Sequence, residues 1–243
     1  PFPFWEWLIR DVQSVDPNVI FLSEAFTRPK VMKALAKLGF AQSYTYFTWR
    51  TGKDELQAYL SEITGYPERE YFRPNFFVNT PDILPLHLQT GEPWIFKARV
   101  ALAATLSSNY GIYNGFELLE HEPIPGREEY LDAEKYERKV RDWNRPDNIK
   151  TYIGHLNWIR QSNPALLQTS NLRFAQMTTA LGLQGMHQKL NAPGAEGGLF
   201  DPNRTNSVAG FAFNEFQFNP TFRMQLAGRI EEVDVRGSVP DVF

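Results

Sequence analysis

The chain has 243 residues, no cysteine, a formal net charge of −3 and a pI near 5.9. That length suffices for one sizeable core or two smaller ones, and the missing thiols exclude disulfides, cysteine nucleophiles and thiolate metal sites. The mild acidity gives no footing for a nucleic acid or an anionic membrane surface. Four isolated histidines, His87, His121, His155 and His187, lack the HxH or HxxxH spacing of a metal site, so no metal and no cofactor is expected.

From the first residues, Trp5, Leu8, Ile9 and Val12 make an i, i+3, i+4, i+7 stripe behind Pro1-Phe2-Pro3-Phe4, which predicts a helix. A chain that opens inside an element reads as a fragment. No apolar run is long enough for a membrane helix. The turn-like Asp16-Pro17-Asn18 then leads into Val19-Ile20-Phe21-Leu22, a short apolar run expected to be a strand buried on both faces, with Glu24 just past its end. Pro29 stands near the start of a helix carrying Val31, Leu35 and Leu38, which stops at Gly39. The run Ser43 to Arg50, SYTYFTWR, is aromatic and reads as a strand. Leu56, Tyr59, Leu60 and Ile63 mark another helix. In NFFVNTPDIL, Phe76, Phe77 and Val78 form a strand with Asp82 beyond it. A helix over Trp94 to Leu106, a strand around Tyr110 to Tyr113, and a helix bearing Tyr152, Leu156 and Ile159 follow.

Strand and helix alternating at roughly 25 to 35 residues per unit is the βα pattern of a parallel sheet. No glycine-rich phosphate loop follows the first strand, which argues against a dinucleotide-binding fold. Four βα units are half of a (β/α)8 barrel, so the expected fold class is α/β, with a partial barrel over residues 1–170. The polar loop from Glu117 to Asn148 is long for such a connection and falls at the carboxyl end of the strands, with Glu24 and Asp82. Two carboxylates converging there suit retaining glycosyl transfer, in which one protonates the leaving oxygen and another attacks the anomeric carbon. Capping roles are the alternatives: Glu24 for the Thr27-Arg28 turn, Asp82 for a segment starting at Ile83.

The runs FLSEAFTRP, QSYTYFTWR, EYFRPNFFVNTPDILP, ALAATLSSNYGIYNGFEL and EEYLDAEKYERKVRDW resemble the α-1,4-glucan:maltose-1-phosphate maltosyltransferase family of the α-amylase superfamily (glycoside hydrolase family 13), densely from Pro1 to about Phe174. The resemblance implies that Glu24 is the general acid/base, that Asp82 is the transition-state stabiliser, and that Lys135 and Tyr136 contact the maltosyl unit. Pro81 stands where ordinary amylases carry a histidine beside the stabilising aspartate, consistent with the maltosyltransferase branch. The implied substrates are α-maltose 1-phosphate and an α-1,4-glucan, in a cytoplasmic enzyme that is a homodimer when complete. The family's nucleophile is an aspartate on the fourth barrel strand, upstream of the segment where this sequence begins, so the residues at hand carry the acid/base and stabiliser without it. Within the same superfamily a hydrolase is an alternative; a carbohydrate-binding remnant with Tyr44, Tyr46, Trp49 and Tyr113 stacking on sugar rings is another.

Past about Gln176 this resemblance ends. Residues 171–243 are expected to form a β-rich tail, with SVAGFAFNEFQF and TFRMQLAGRIE making a short antiparallel hairpin in which Phe222, Met224, Leu226 and Ile230 alternate with Arg223, Gln225, Arg229 and Glu231. The segment FDPNRTNSVAGFAFNEFQFNPTFRMQLAGRIEEVDV resembles barrel strands of TonB-dependent outer-membrane receptors, which would make the chain a chimera joined near Gln176. Two strands cannot close a membrane barrel.

Overall fold

A computed structural model describes residues 1–134, 138–190 and 203–237. The chain divides into two compact units, Pro1–Leu172 and Arg173–Phe243. In the first, helix α1 (Phe2–Val15) precedes strand β1 (Leu22–Ser23) and helix α2 (Pro29–Ala36). Strand β2 (Gln42–Tyr44), helices α3 (Lys53–Thr64) and α4 (Glu68–Tyr71), strand β3 (Pro74–Phe77), helix α5 (Pro93–Leu106), strand β4 (Asn109–Gly111) and helix α6 (Lys150–Ser162) complete it. The four strands pair in parallel in the order β1-β2-β3-β4. Each pair of strands joined in sequence is therefore also adjacent in space, the arrangement that successive βα units produce.

Helices cover one face of this sheet. Phe76 and Val78 are buried in a single cluster with Leu56, Tyr59, Leu60 and Ile63 of α3 and with Phe96 and Val100 of α5. Two arginines secure the helical layer. Arg99 of α5 donates to the carbonyls of Phe47 (2.6 Å) and Arg50 (2.8 Å), its guanidinium carbon 4.1 Å from the Phe47 ring centroid. Arg160 of α6 donates to the carbonyls of Ala104, Ser107 (2.9 Å) and Ser108 (2.8 Å), satisfying acceptors that the end of α5 leaves open. Gly39, with φ +109°, ends the turn after α2; a Cβ there would approach Ile9 Cγ2 to 2.9 Å, so glycine lets α1 pack against that turn.

Two expectations need correcting. The first strand is not buried on both faces: Ile20 is 69% exposed and Leu22 also lies largely in solvent. β1 pairs with β2 on one side only, so its outer edge and the residues before it meet no neighbouring strand among the described residues. The strand expected over Ser43 to Arg50 stops at Tyr44, and a 3-10 turn runs from Tyr46 to Trp49. Hydroxyl groups replace the ladder there, Thr45 donating to the Asn75 carbonyl (3.0 Å) and Thr48 to that of Phe77 (2.9 Å). The released backbone lets Phe47 turn inward, where it stacks on Phe76 with ring centroids 4.5 Å apart.

The second unit is an antiparallel meander of three strands of 15 residues each, β5 (Gln176–Leu190), β6 (Asn203–Gln217) and β7 (Arg223–Gly237), ordered β5-β6-β7. The sequence suggested a short hairpin because its alternation is visible only in the last two strands. In β5 the glycines at 182 and 185 and the run of Thr, Gln and Ala blur the pattern, and β6 is what defines its register.

Candidate functional site

Because partner residues in a sheet share a face, the register fixes which side chains meet. Leu22 pairs with Gln42, Tyr44 with Asn75, and Phe77 with Gly111. Leu22, Gln42, Tyr44, Asn75, Phe77, Asn109 and Gly111 consequently lie on the sheet face opposite the helices; Asn75, at the centre, is buried, and the others are not fully buried. Ser23 and Ser43, on the helix side, are buried. A parallel sheet normally has both faces covered; here no described helix covers the second one.

Glu24 follows β1 immediately, and Asp82 lies five residues past the end of β3, so both stand beyond the carboxyl ends of parallel strands. Both are exposed. The Glu24 carboxylate is close enough to act on Tyr44, whose phenol is pushed up first by burial and then by that charge. Behind it, Phe26 meets Tyr44 and Trp49 edge-on with centroids at 5.9 and 5.0 Å, and Tyr44 lies 4.5 Å from Phe77. Gly111 makes room for that row, since a Cβ on it would clash with the edge of the Phe77 ring, within 2.7 Å of Cε1, Cζ and Cδ1. Asp82 is the corner of a tight turn: Thr80 and Ile83 exchange backbone hydrogen bonds at 3.0 and 3.2 Å, and the Asp82 amide donates to Thr80 Oγ1 at 3.2 Å. No helix begins at Ile83, which removes the capping role considered for Asp82; α5 starts ten residues later, at Pro93.

Asn79 organises the floor beneath that turn. Its Nδ2 donates to Tyr130 Oη at 2.6 Å, and its Oδ1 accepts from the Tyr113 amide at 2.8 Å, so β3, the end of β4 and the long loop are locked by one buried side chain. Burial pushes the Tyr130 phenol well up, keeping it a neutral hydrogen-bonding group. The long loop is held at two levels. Leu84 and Leu86 donate backbone N–H groups to Glu128, the first to its carbonyl at 2.8 Å and the second to its Oε1 at 3.0 Å. Further along, Arg141 reaches Glu120 through two hydrogen bonds of 2.8 and 3.2 Å and Glu134 at 2.9 Å, with Lys139 at 3.2 Å from Glu120. The Arg141 guanidinium holds the Glu134 carboxyl below the usual carboxylate range. Glu134 also donates its amide to the Tyr113 hydroxyl at 2.9 Å.

Lys135 and Tyr136 lie outside the described residues, immediately after Glu134. Sequence reasoning did not find Asn79, Tyr130, Glu120 or Arg141. The length and polarity of the loop were the only available signal, because an ion pair spanning twenty-one positions leaves no periodic trace. Among the described residues no group of three or more His, Asp or Glu side chains is arranged to hold a metal ion, and no helix is long and apolar enough to cross a membrane.

The architecture first places the protein among α/β structures of the α-amylase type. It is similar to a crystal structure of α-amylase from H. orenii, with a TM-score of 0.53 and 12% identity, over 88% of this chain and 48% of that one. Eubacterium rectale Amy13B is similar to the same extent, with a TM-score of 0.51. Sequence relatives narrow the class. Over 174 residues, 72% of the chain, it is 60% identical to the α-1,4-glucan:maltose-1-phosphate maltosyltransferases of Rhodospirillum rubrum and Myxococcus xanthus. The identity to the enzyme of that name from Cereibacter sphaeroides is 55% over the same length. The chain spans about a quarter of these curated relatives, 25%, 26% and 29% of their lengths. No family model matches the chain.

Proposed function

We propose that Pro1–Leu172 is the acid/base-bearing half of a maltosyltransferase barrel, acting on α-maltose 1-phosphate and the non-reducing end of an α-1,4-glucan. The observation that carries this reading is the 55–60% identity to maltosyltransferases over 174 residues, a length within two residues of the first unit. The uncovered sheet face and the unpaired outer edge of β1 support the half-barrel part of it, since a closed ring covers both.

In this reading Glu24 protonates the phosphate oxygen as the C1–O bond breaks, while an aspartate from the other half attacks C1. Glu24, now a carboxylate, then takes the proton from the 4-hydroxyl of the glucan end as that oxygen displaces the aspartate. The first step requires Glu24 in its protonated form. Asp82 steadies the oxocarbenium-like transition state from its turn. Lys135 and Tyr136 contact the maltosyl unit, and the loop segment carrying them is tied to the barrel at Glu134. The complete enzyme is a homodimer.

The tail is read separately, as a segment of an outer-membrane β-barrel of the TonB-dependent receptor kind. Its support is three antiparallel strands of 15 residues each, with alternation along β6 and β7.

Phosphate release from α-maltose 1-phosphate with a glucan acceptor tests the enzymatic reading, using this chain alone and then with the upstream half as a second polypeptide. Release is expected only from the pair and is abolished by Glu24→Gln. Release by the chain alone, or activity surviving Glu24→Gln, overturns the assignment.

A further inference from the structure

The register of β5, β6 and β7 sorts their side chains into two faces of opposite character. On one face the rows across the sheet run Met177-Phe216-Met224, Thr179-Asn214-Leu226, Leu181-Ala212-Gly228 and Leu183-Gly210-Ile230. None of these twelve residues carries a charge, and the two polar ones satisfy each other through a 2.7 Å hydrogen bond from Thr179 Oγ1 to Asn214 Oδ1. Leu183 is 88% and Ile230 84% exposed. The next row, Gly185-Val208-Glu232, ends the apolar zone, and the two rows beyond it, His187-Asn206-Asp234 and Lys189-Arg204-Arg236, are polar or charged throughout. At the opposite end, by the β6–β7 turn, Phe216, Phe218 and Phe222 cluster with centroids 6.3 and 5.4 Å apart.

Over the same height, the other face carries Glu215, Arg229 and Glu231 among Phe211, Phe213 and alanines. Its polar groups are cross-linked between strands, Gln225 donating to Glu215 at 2.6 Å and Arg229 to Gln184 at 2.8 Å. Such a face is suited to water. From Gly210 to Phe218 the uncharged band takes nine residues, at the lower end of the roughly 9–11 residues of a tilted strand that crosses the hydrocarbon core of a bilayer. The aromatic cluster at one border suits a membrane–water interface, and the charged rows at the other mark where the apolar zone stops.

We infer that the face bearing Leu181, Leu183, Val208, Leu226 and Ile230 is a lipid-facing wall, bounded by Phe218 and Phe222 on one side and by Glu232, Asp234 and Lys189 on the other. The Arg229–Gln184 face is the lumen side. This inference rests on reading the tail as a membrane-barrel segment, and it adds which face meets acyl chains and at what depth.

The chain has no cysteine, so single-cysteine variants report on chosen sites without background. Leu183→Cys, Ile230→Cys, Gln184→Cys, Glu231→Cys and Arg236→Cys in the full chain are labelled with an environment-sensitive fluorophore and placed in phosphocholine micelles containing a brominated-chain quencher. A micelle covers a sheet face without burying the edges of β5 and β7, and circular dichroism confirms that each variant keeps its strands. The expected result is loss of fluorescence with a blue shift at 183 and 230, and neither at 184, 231 or 236. Quenching at 184 and 231, or at both faces alike, overturns the face assignment and leaves the barrel reading standing. No quenching at any site, or a blue shift at 183 and 230 already present in buffer, overturns the barrel reading itself, because the face would then be covered by protein.

Discussion

Arg141 joins Glu120 and Glu134 at the far end of the long loop, and Arg141→Met isolates its charge from its bulk. The side chain is 4% exposed, and it makes two hydrogen bonds to Glu120 and one to Glu134. Removing one partner of a buried, bidentate pair costs about 3 kcal/mol or more, chiefly by leaving the other charge uncompensated. Lys139 remains 3.2 Å from Glu120, so the lower figure applies here. The near part of the loop keeps its contacts from Leu84 and Leu86 to Glu128. The cost therefore falls on local opening of the loop around Glu134 and Arg141 and leaves the global melt little changed. About 3 kcal/mol corresponds to a factor of roughly a hundred in the opening equilibrium. Amide exchange by mass spectrometry across that segment, with tryptic cleavage at Arg138 as a second readout, should accelerate by about that factor in Arg141→Met, and by less in Arg141→Lys, which keeps the charge and loses the fork. Unchanged exchange in Arg141→Met would refute the reasoning, as would an equal effect of Arg141→Met in a Glu120→Gln background, where the pair is already absent.

Three further outcomes follow from the core. Gly111→Ala forces Phe77 off the Tyr44 ring and should lower stability by about 1–3 kcal/mol, read as a fall in the urea midpoint; a neutral result would mean that the open face has slack the packing does not suggest. Phe47→Ala removes both the stack on Phe76 and the ring beneath Arg99, at about 3–5 kcal/mol, and a cost below 1 kcal/mol would show that Arg99 alone holds the 3-10 turn. His87 has its pKa lowered from 6.5 to about 4, first by burial and then by the Arg99 charge. A base held neutral by the fold contributes stability above its unfolded value, and that contribution drains as the pH falls from 6.5 towards 4. His87→Gln should flatten the stability profile in that window; a profile as steep as the parent's assigns the slope to other groups.

The helices of the first unit were legible because each buries a stripe. Leu56, Tyr59, Leu60 and Ile63 predicted α3, and all four are buried. The strands were legible as apolar runs but not in length, because a run shows which residues avoid water and says nothing of where the ladder ends. SYTYFTWR contains both a strand and a 3-10 turn, separated by threonine hydroxyls that take over the ladder's acceptors, and hydroxyl bonding has no period. Glu24 and Asp82 stood out as candidates because strand ends are where α/β folds place side chains that act. Arg141, Asn79 and Tyr130 were invisible for the opposite reason: each is defined by a partner between twenty-one and fifty-one positions away. In the tail, β6 and β7 alternate openly, while β5 acquires its faces only from its register with β6.

The two units leave apolar surface exposed for different physical reasons, and the difference predicts how each is relieved. On the first, Phe4, Trp7, Ile20 and Leu22 are exposed along α1 and the β1 edge, where backbone donors and acceptors stand beside apolar side chains. Only another strand satisfies both at once, so the surface calls for protein. On the second, the exposed band lies on a sheet face, where the backbone is already paired and only side chains need cover, so acyl chains suffice. On the readings proposed above, detergent should therefore disperse association driven by the tail and leave association through the β1 edge intact, whereas a polypeptide supplying the proposed other half of the barrel should do the reverse.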